Sequence, residues 1–329
     1  MARRRNQSNG PGYDPLIDSA LGAFGRLDPR ARAVILVLLL VGLIATFVYY
    51  QRQAHQGAPG PQGATVVSPH LLLGNPSSAT DDPANRANYL MVKPYYALSY
   101  NNPAGRPNWV SWRVTQADLG DAPRKPTFDA DVTLPPGFYR VIHKDYSGSG
   151  FDRGHLCPHS DRAANREMSF ATFVMTNIIP QAPNVNQKAW AQLEVYCRDL
   201  VRQHQRLFVI AGPAGRGGRG SNGSRESIAG GKVTVPAECW KIVVAVPESG
   251  DDDLSKIGPG TRVIVVVMPN DNDAVGEEWA KFRTSAAEVE GRTGLKFFDR
   301  LPDGIAQVLR QKVDNTQIAP PRPMTHNGG

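Results

Sequence analysis

The chain has 329 residues, 41% of them hydrophobic and 20% charged, enough apolar material for a sizeable core and too much for wholesale disorder. Its net charge is +7, of which six arginines and three aspartates in residues 1–32 supply +3. The remaining +4 is spread over almost 300 residues, so the charge gives only mild support for a polyanionic partner.

Ala33 to Tyr50 is an uncharged, almost wholly apolar run of 18 residues. As a helix it would span roughly 27 Å, close to the hydrocarbon thickness of a bilayer, and it has no polar stripe to show to water. Arg3, Arg4, Arg5, Arg26, Arg30 and Arg32 precede it, whereas only Arg52 falls in the fifteen residues that follow. The positive-inside rule then puts residues 1–32 in the cytoplasm and the large C-terminal part outside. A cleaved signal peptide is the competing reading; against it stand the long charged leader and an apolar run exceeding a signal's usual core of about 7–15 residues. The sequence therefore predicts a single-pass anchor in the cell membrane over residues 33–50. Residues 51–66, with Gly57-Ala58-Pro59-Gly60-Pro61-Gln62-Gly63, read as a flexible linker.

Residues 67–313 read as one catalytic domain. Strand-like runs at Trp109–Val114, Leu207–Ala211, Lys241–Val246 and Arg262–Met268 alternate with helical stretches near Asn186–His204 and Glu277–Thr293, a mixture of both element types. In Gln187–Gln203 the apolar residues Trp190, Leu193, Cys197, Leu200 and Val201 recur at spacings of three and four, which predicts an amphipathic helix capped by Asn184 or Asn186. Residues 314–329, with three prolines and a Gly-Gly end, are expected to be a disordered tail. There are three cysteines, Cys157, Cys197 and Cys239. On an oxidising side of a membrane they allow one disulfide and one leftover thiol, with Cys157–Cys197 the favoured pair.

Two segments carry the chemistry. Phe151-Asp152-Arg153-Gly154-His155 supplies a histidine that can take a proton near neutral pH and an arginine that can hold a phosphate. About thirty residues later, Asn186-Gln187-Lys188-Ala189-Trp190-Ala191-Gln192-Leu193-Glu194 supplies an amide and a carboxylate suited to a hard divalent cation. Two other motifs were weighed against these. His155, Cys157 and His159 alternate as zinc ligands on a strand would, but Pro158 interrupts the strand and no fourth ligand stands at finger-like spacing. Gly215-Arg216-Gly217-Gly218-Arg219-Gly220 matches the glycine pattern of a dinucleotide site, yet no helix follows to face a pyrophosphate. It reads as a mobile loop whose Arg216 and Arg219, with Arg225, could touch a substrate backbone.

The ordered set of segments resembles the DNA/RNA non-specific endonuclease family, the ββα-metal or His-Me finger nucleases of the endonuclease G-like kind. The resemblance runs from about Tyr89 to Val313 through Pro94-Tyr95-Tyr96-Ala97-Leu98-Ser99-Tyr100, Pro107-Asn108-Trp109-Val110, the Asp-Arg-Gly-His run, Met175-Thr176-Asn177-Ile178-Ile179-Pro180-Gln181 and Trp240-Lys241-Ile242-Val243-Val244. It implies an α+β fold: a ββα-metal core with a mixed, largely antiparallel central sheet flanked by helices. It also implies hydrolysis of DNA and RNA, with His155 as general base, Asn186 as the ligand of Mg2+ (Mn2+ possible) and 5′-phosphate products. Glu194 would hold water of the metal's hydration shell, and Asn177 would orient that network. Arg153, Arg198 and Arg124 fall where the family binds phosphate, and Asp152 would orient its neighbours. A homodimer is a further family expectation. Two alternatives remain at this point: a non-catalytic, membrane-tethered nucleic-acid-binding or uptake protein, and a phosphodiesterase acting on another substrate such as a lipid headgroup.

Overall fold

The computed structural model describes Phe24 and residues 26–55, 68–248 and 254–318, apart from 275 and 277. It divides into two compact units, Met1–Val66 and Val67–Gly329.

In the first unit, residues Pro29–His55 form helix α1. Asp28 opens it by accepting a hydrogen bond from the Arg30 amide at 2.6 Å, and Pro29 sits in the first turn, where a missing N–H costs nothing. Val34, Leu36 to Val41 and Leu43 are each 55–69% exposed. Among the described residues, no helix is long and apolar enough to cross a membrane. The expected span of 33–50 runs past the described side chains, which end at Leu43 apart from Thr46. The expected linker lies largely in residues outside those described, as does the chain beyond Ile318.

The second unit is built on a seven-stranded sheet in the order β1 (Tyr89–Val92), β2 (Ala97–Asn101), β3 (Arg106–Val114), β6 (Gln205–Ala214), β11 (Glu238–Pro247), β12 (Arg262–Pro269) and β13 (Arg283–Thr284). Every pairing in it is antiparallel. The central strands are apolar on both faces because both are covered, and alternation assigns each residue a side. Trp240, Ile242, Val244 and Val246 of β11 pack with Phe208, Ile210, Val263 and Val265 against the C-terminal helices α4 (Ala286–Thr293) and α5 (Asp303–Gln311). Cys239, Val243 and Ala245 face the other way and join Trp112, Val209, Ile264, Trp190, Leu193 and Cys197. That second face carries the helix beside the site, α3 (Ala191–Arg202).

Five expectations are corrected. The helical stretch predicted from Glu277 starts only at Ala286: Trp279–Phe282 is a 3-10 turn, Arg283–Thr284 pairs with β12, and Ser285 caps α4 by accepting from the Glu288 amide. The stretch predicted from Asn186 begins as a π-helical turn, Val185–Trp190, before α3. Neither asparagine caps it: the Asn184 side chain donates to the Asn272 carbonyl and that of Asn186 to a carboxylate. All three cysteines are free and buried, so the pairing of Cys157 with Cys197 is absent; burial pushes the thiols of Cys197 and Cys239 up to about 12. The start of the expected tail is also held, since Asp314 accepts from Arg262 and Arg283 and Ile318 packs on the core.

Candidate active site

Strand β4 (Asp152–His155) pairs antiparallel with β5 (Ile178–Gln181), opposing Asp152 to Gln181 and His155 to Ile178. The π-helical turn and α3 follow, completing a β-β-α unit. Gly154 is required there by space: a Cβ would lie 2.3 Å from Gln181 Oε1 and 2.6 Å from Gln181 Cβ. Gly150, just before β4, has φ +85° and would press a Cβ to 2.7 Å from the Asn222 backbone nitrogen.

His155 is 8% exposed, and its Nε2 has no hydrogen-bond partner. Its ring packs against Phe173 and Phe128, at centroid distances of 4.7 and 5.2 Å. Burial, with Arg124 and His159 nearby, holds its pKa well below 6.5. The imidazole is therefore neutral at neutral pH and can accept a proton. The Arg124 guanidinium lies 5.3 Å from the centre of the same Phe173 ring.

Asp152 and Asn186 meet. The Asn186 amide nitrogen donates to Asp152 Oδ2 at 2.8 Å, and Gln187 donates to the same oxygen at 2.8 Å. A carboxylate only accepts, so it fixes the amide with its nitrogen inward and turns the Asn186 oxygen elsewhere. That oxygen takes no hydrogen bond from the described residues and is a hard donor of the kind a hydrated divalent cation uses. Among the described residues no group of three His, Cys, Asp or Glu side chains converges, and Cys157 is a buried thiol with its pKa pushed up, the opposite of a zinc thiolate. The donor set fits a cation that keeps most of its waters, not a closed protein cage.

The remaining predicted residues are placed as follows. Arg153 gives two hydrogen bonds to the His143 carbonyl, at 3.2 and 2.8 Å. Asn177 is fully buried: it accepts from the Cys157 amide and donates to the carbonyls of Cys157 and Thr172. Both its amide hydrogens are thereby used, so it fixes the loop after His155 and has none left to orient water. Glu194 pairs with Lys241, at 3.2 Å, and burial raises its pKa against the opposing pull of Lys241 and Arg198. Arg198 pairs with Asp161 at 3.2 Å, so the helical neighbour Glu194 is not its ion-pair partner. The glycine-rich run leads into a hairpin of β7 (Gly218–Gly220) and β8 (Gly223–Arg225), with no helix after it. Arg216 and Arg219 are paired there with Glu226 and Asp273.

Over residues 73–304 the chain matches the family model described as DNA/RNA non-specific endonuclease. The chain belongs to this family. It is 43% identical over 276 residues to "Nuclease" from Nostoc sp., covering 84% of this chain and 97% of that one. It is 30% identical over 267 residues to the human "Nuclease EXOG, mitochondrial", covering 78% of this chain and 68% of the relative. Among solved structures, a chain of the EndoG/EndoGI complex superposes with a TM-score of 0.57 at 26% identity, covering 73% of this chain and 95% of that one. The protein is accordingly a non-specific endonuclease with nucleic acid as substrate.

Sequence reading missed several residues on which this endonuclease builds its site. Asn270, fully buried after β12, accepts from the Ala182 amide and donates to the carbonyls of Pro180 and Pro236. Asn272 accepts from the Asn184 amide. Together they dock the connection that leads to Asn186. Asp161 accepts from Trp112 as well as Arg198. One signal was available: Lys241 is the lone charge in the apolar run Trp240–Val246, and a lysine buried in a sheet needs a counter-ion.

Proposed function

We propose that this endonuclease hydrolyses DNA and RNA with His155 as general base, Asn186 as the protein ligand of Mg2+ and 5′-phosphate products. The observation that carries the reading is the buried, neutral His155 with Nε2 unpartnered, three positions along β4 from a carboxylate that orients Asn186. In this reading His155 Nε2 accepts the proton of an attacking water, and Phe128 and Phe173 keep bulk water from its ring. Arg124, near His155, binds the phosphate through its guanidinium fork. Arg153 and Arg198 are steadied by the His143 carbonyl and Asp161 and extend that positive field. Asp152 holds Asn186 so that its oxygen faces outward. When bound, Mg2+ would supply charge neutralisation for the phosphate and the departing 3′ oxygen. The sequence suggests no base-reading module such as a helix-turn-helix or zinc finger, and contacts to phosphate carry little sequence information.

The test is cleavage of supercoiled plasmid and total RNA by the purified protein with Mg2+, with EDTA and with His155→Ala. Metal-dependent cleavage of both substrates, absent in the variant, is expected. A variant that still cuts at the parent rate would remove His155 from the mechanism.

The reading also includes a tether. The described apolar side chains of α1 are exposed around the helix, which favours burial in a bilayer through residues 33–50 with the catalytic unit on the far side from the N-terminus. Alkaline carbonate extraction checks this: the full chain should stay in the membrane fraction, and a fragment beginning at Val67 should be released.

A further inference from the structure

His159 is a titratable group beside the site to which the proposed reaction gives no task. It stands four residues beyond His155, after Pro158, at the start of a 3-10 turn. Its ring centroid is 6.0 Å from that of Phe173, the ring that also carries His155 at 4.7 Å and Arg124 at 5.3 Å. Three nitrogenous groups therefore surround one aromatic side chain.

The hydroxyls around His159 define its protonation state. Ser169 Oγ donates to the Pro123 carbonyl at 3.0 Å and so presents lone pairs to His159 Nδ1, at 3.5 Å. That arrangement keeps the hydrogen of the neutral ring on Nδ1. Nε2 is then an acceptor, and Ser160 Oγ lies 3.2 Å from it. The charged groups facing the ring are Arg124, Arg198 and Asp161, with His155 beyond. Burial first, then Arg124 and Arg198, lower His159 to about 4 against the opposing pull of Asp161. Two fixed positive charges outweigh one negative charge, and the negative one is already engaged with Arg198 and Trp112.

A phosphodiester placed between Arg124 and Arg198 would cancel that excess of positive charge. Resting on the nuclease reading of the site, we propose that His159 takes a proton from solvent when a nucleic-acid phosphate binds beside Arg124 and Arg198, and so becomes a third positive charge beside the substrate. The proton goes to Nε2. Ser160 then turns from donor to acceptor toward the ring, and its own hydroxyl hydrogen becomes available to a phosphate oxygen. No covalent bond forms or breaks, and the proton returns to solvent when product leaves.

The experiment uses the full chain in detergent with a short single-stranded DNA oligonucleotide in EDTA, so that nothing is cut. The His159 ring signal, assigned by its loss in His159→Gln, is followed by NMR through a pH titration with and without DNA. An upward shift of about three units is expected, since only that carries the ring from about 4 to near neutrality, and it is the upper end of what a neighbouring opposite charge produces. Calorimetry in two buffers of different ionisation enthalpy should show proton uptake that His159→Gln removes. Binding with a His159 titration that stays well below neutral pH, or with the same proton uptake in the variant, overturns this proposal alone. Failure of the unsubstituted protein both to bind DNA and to cleave plasmid overturns the nuclease reading and this proposal with it.

Discussion

The Lys241 ammonium lies 3.2 Å from Oε1 of Glu194 and 4.2 Å from the centre of the Trp190 ring, tying the middle of β11 to the helix beside the site. Both side chains are largely withdrawn from water, at 2% and 15% exposure. Removing one partner leaves the other charge uncompensated, which costs about 3–5 kcal/mol. Glu194→Ala should therefore lower the urea midpoint sharply. Lys241→Met combined with Glu194→Leu should recover most of the loss, because an apolar pair replaces the buried ions. If Glu194 also serves the metal's water, this refolded double variant stays inactive, and activity measured beside stability separates the two roles.

His155 makes the pH behaviour predictable in sign. Its pKa sits well below 6.5 through burial, with Arg124 and His159 adding to the effect, so the base is already deprotonated at neutral pH. The ratio kcat/KM should be insensitive to this group near pH 7 and fall only on acidification well below 6.5.

Stability should follow the same direction. His70, held at about 4 mainly by burial, and His159, also at about 4, join His155 in binding protons more weakly folded than unfolded. The unfolded chain takes up more protons below 6.5, so stability is full above that value and is lost as pH falls toward 4. Urea midpoints at neutral and mildly acidic pH should differ, and His70→Gln should shrink the difference.

Asn177→Ala would strip partners from the Cys157 amide and from the carbonyls of Cys157 and Thr172. Leaving buried groups unsatisfied costs about 1–3 kcal/mol each, so a clear drop in melting temperature is expected together with reduced cleavage. Asn177→Asp should be no better, since a carboxylate facing two carbonyls cannot donate to them. A variant with parental stability would show that the loop after His155 is held by other means.

Gly154→Ala tests the approach of β5 to β4. Its Cβ would meet both the tip and the base of the Gln181 side chain, and overpacking of this kind costs about 1–3 kcal/mol. Adding Gln181→Ala should relieve the clash with the amide but not that with Cβ, so recovery measured by thermal melting should be partial.

Much of this molecule was legible in its sequence because the informative signals were local. The apolar runs that became β6, β11 and β12 announced themselves by composition, and the spacing of Trp190, Leu193, Cys197 and Val201 gave the buried face of α3. His155, Asp152 and Asn186 were recognisable as an ordered set. The supports were not. Asn270 reaches Ala182 across 88 positions, and no periodicity or neighbouring residue marks such a contact. Arg198 illustrates a different limit: Glu194 stands one helical turn before it, but the fold supplied Asp161 to Arg198 and Lys241 to Glu194. The π-helical turn, too, leaves no composition signature in Val185–Trp190.

The three thiols have a consequence for how this chain matures. Each is enclosed among apolar side chains and none is joined to another, so no covalent cross-link holds the catalytic unit closed. A reductant added to the purified enzyme should therefore find no disulfide to break, and the melting temperature should not move.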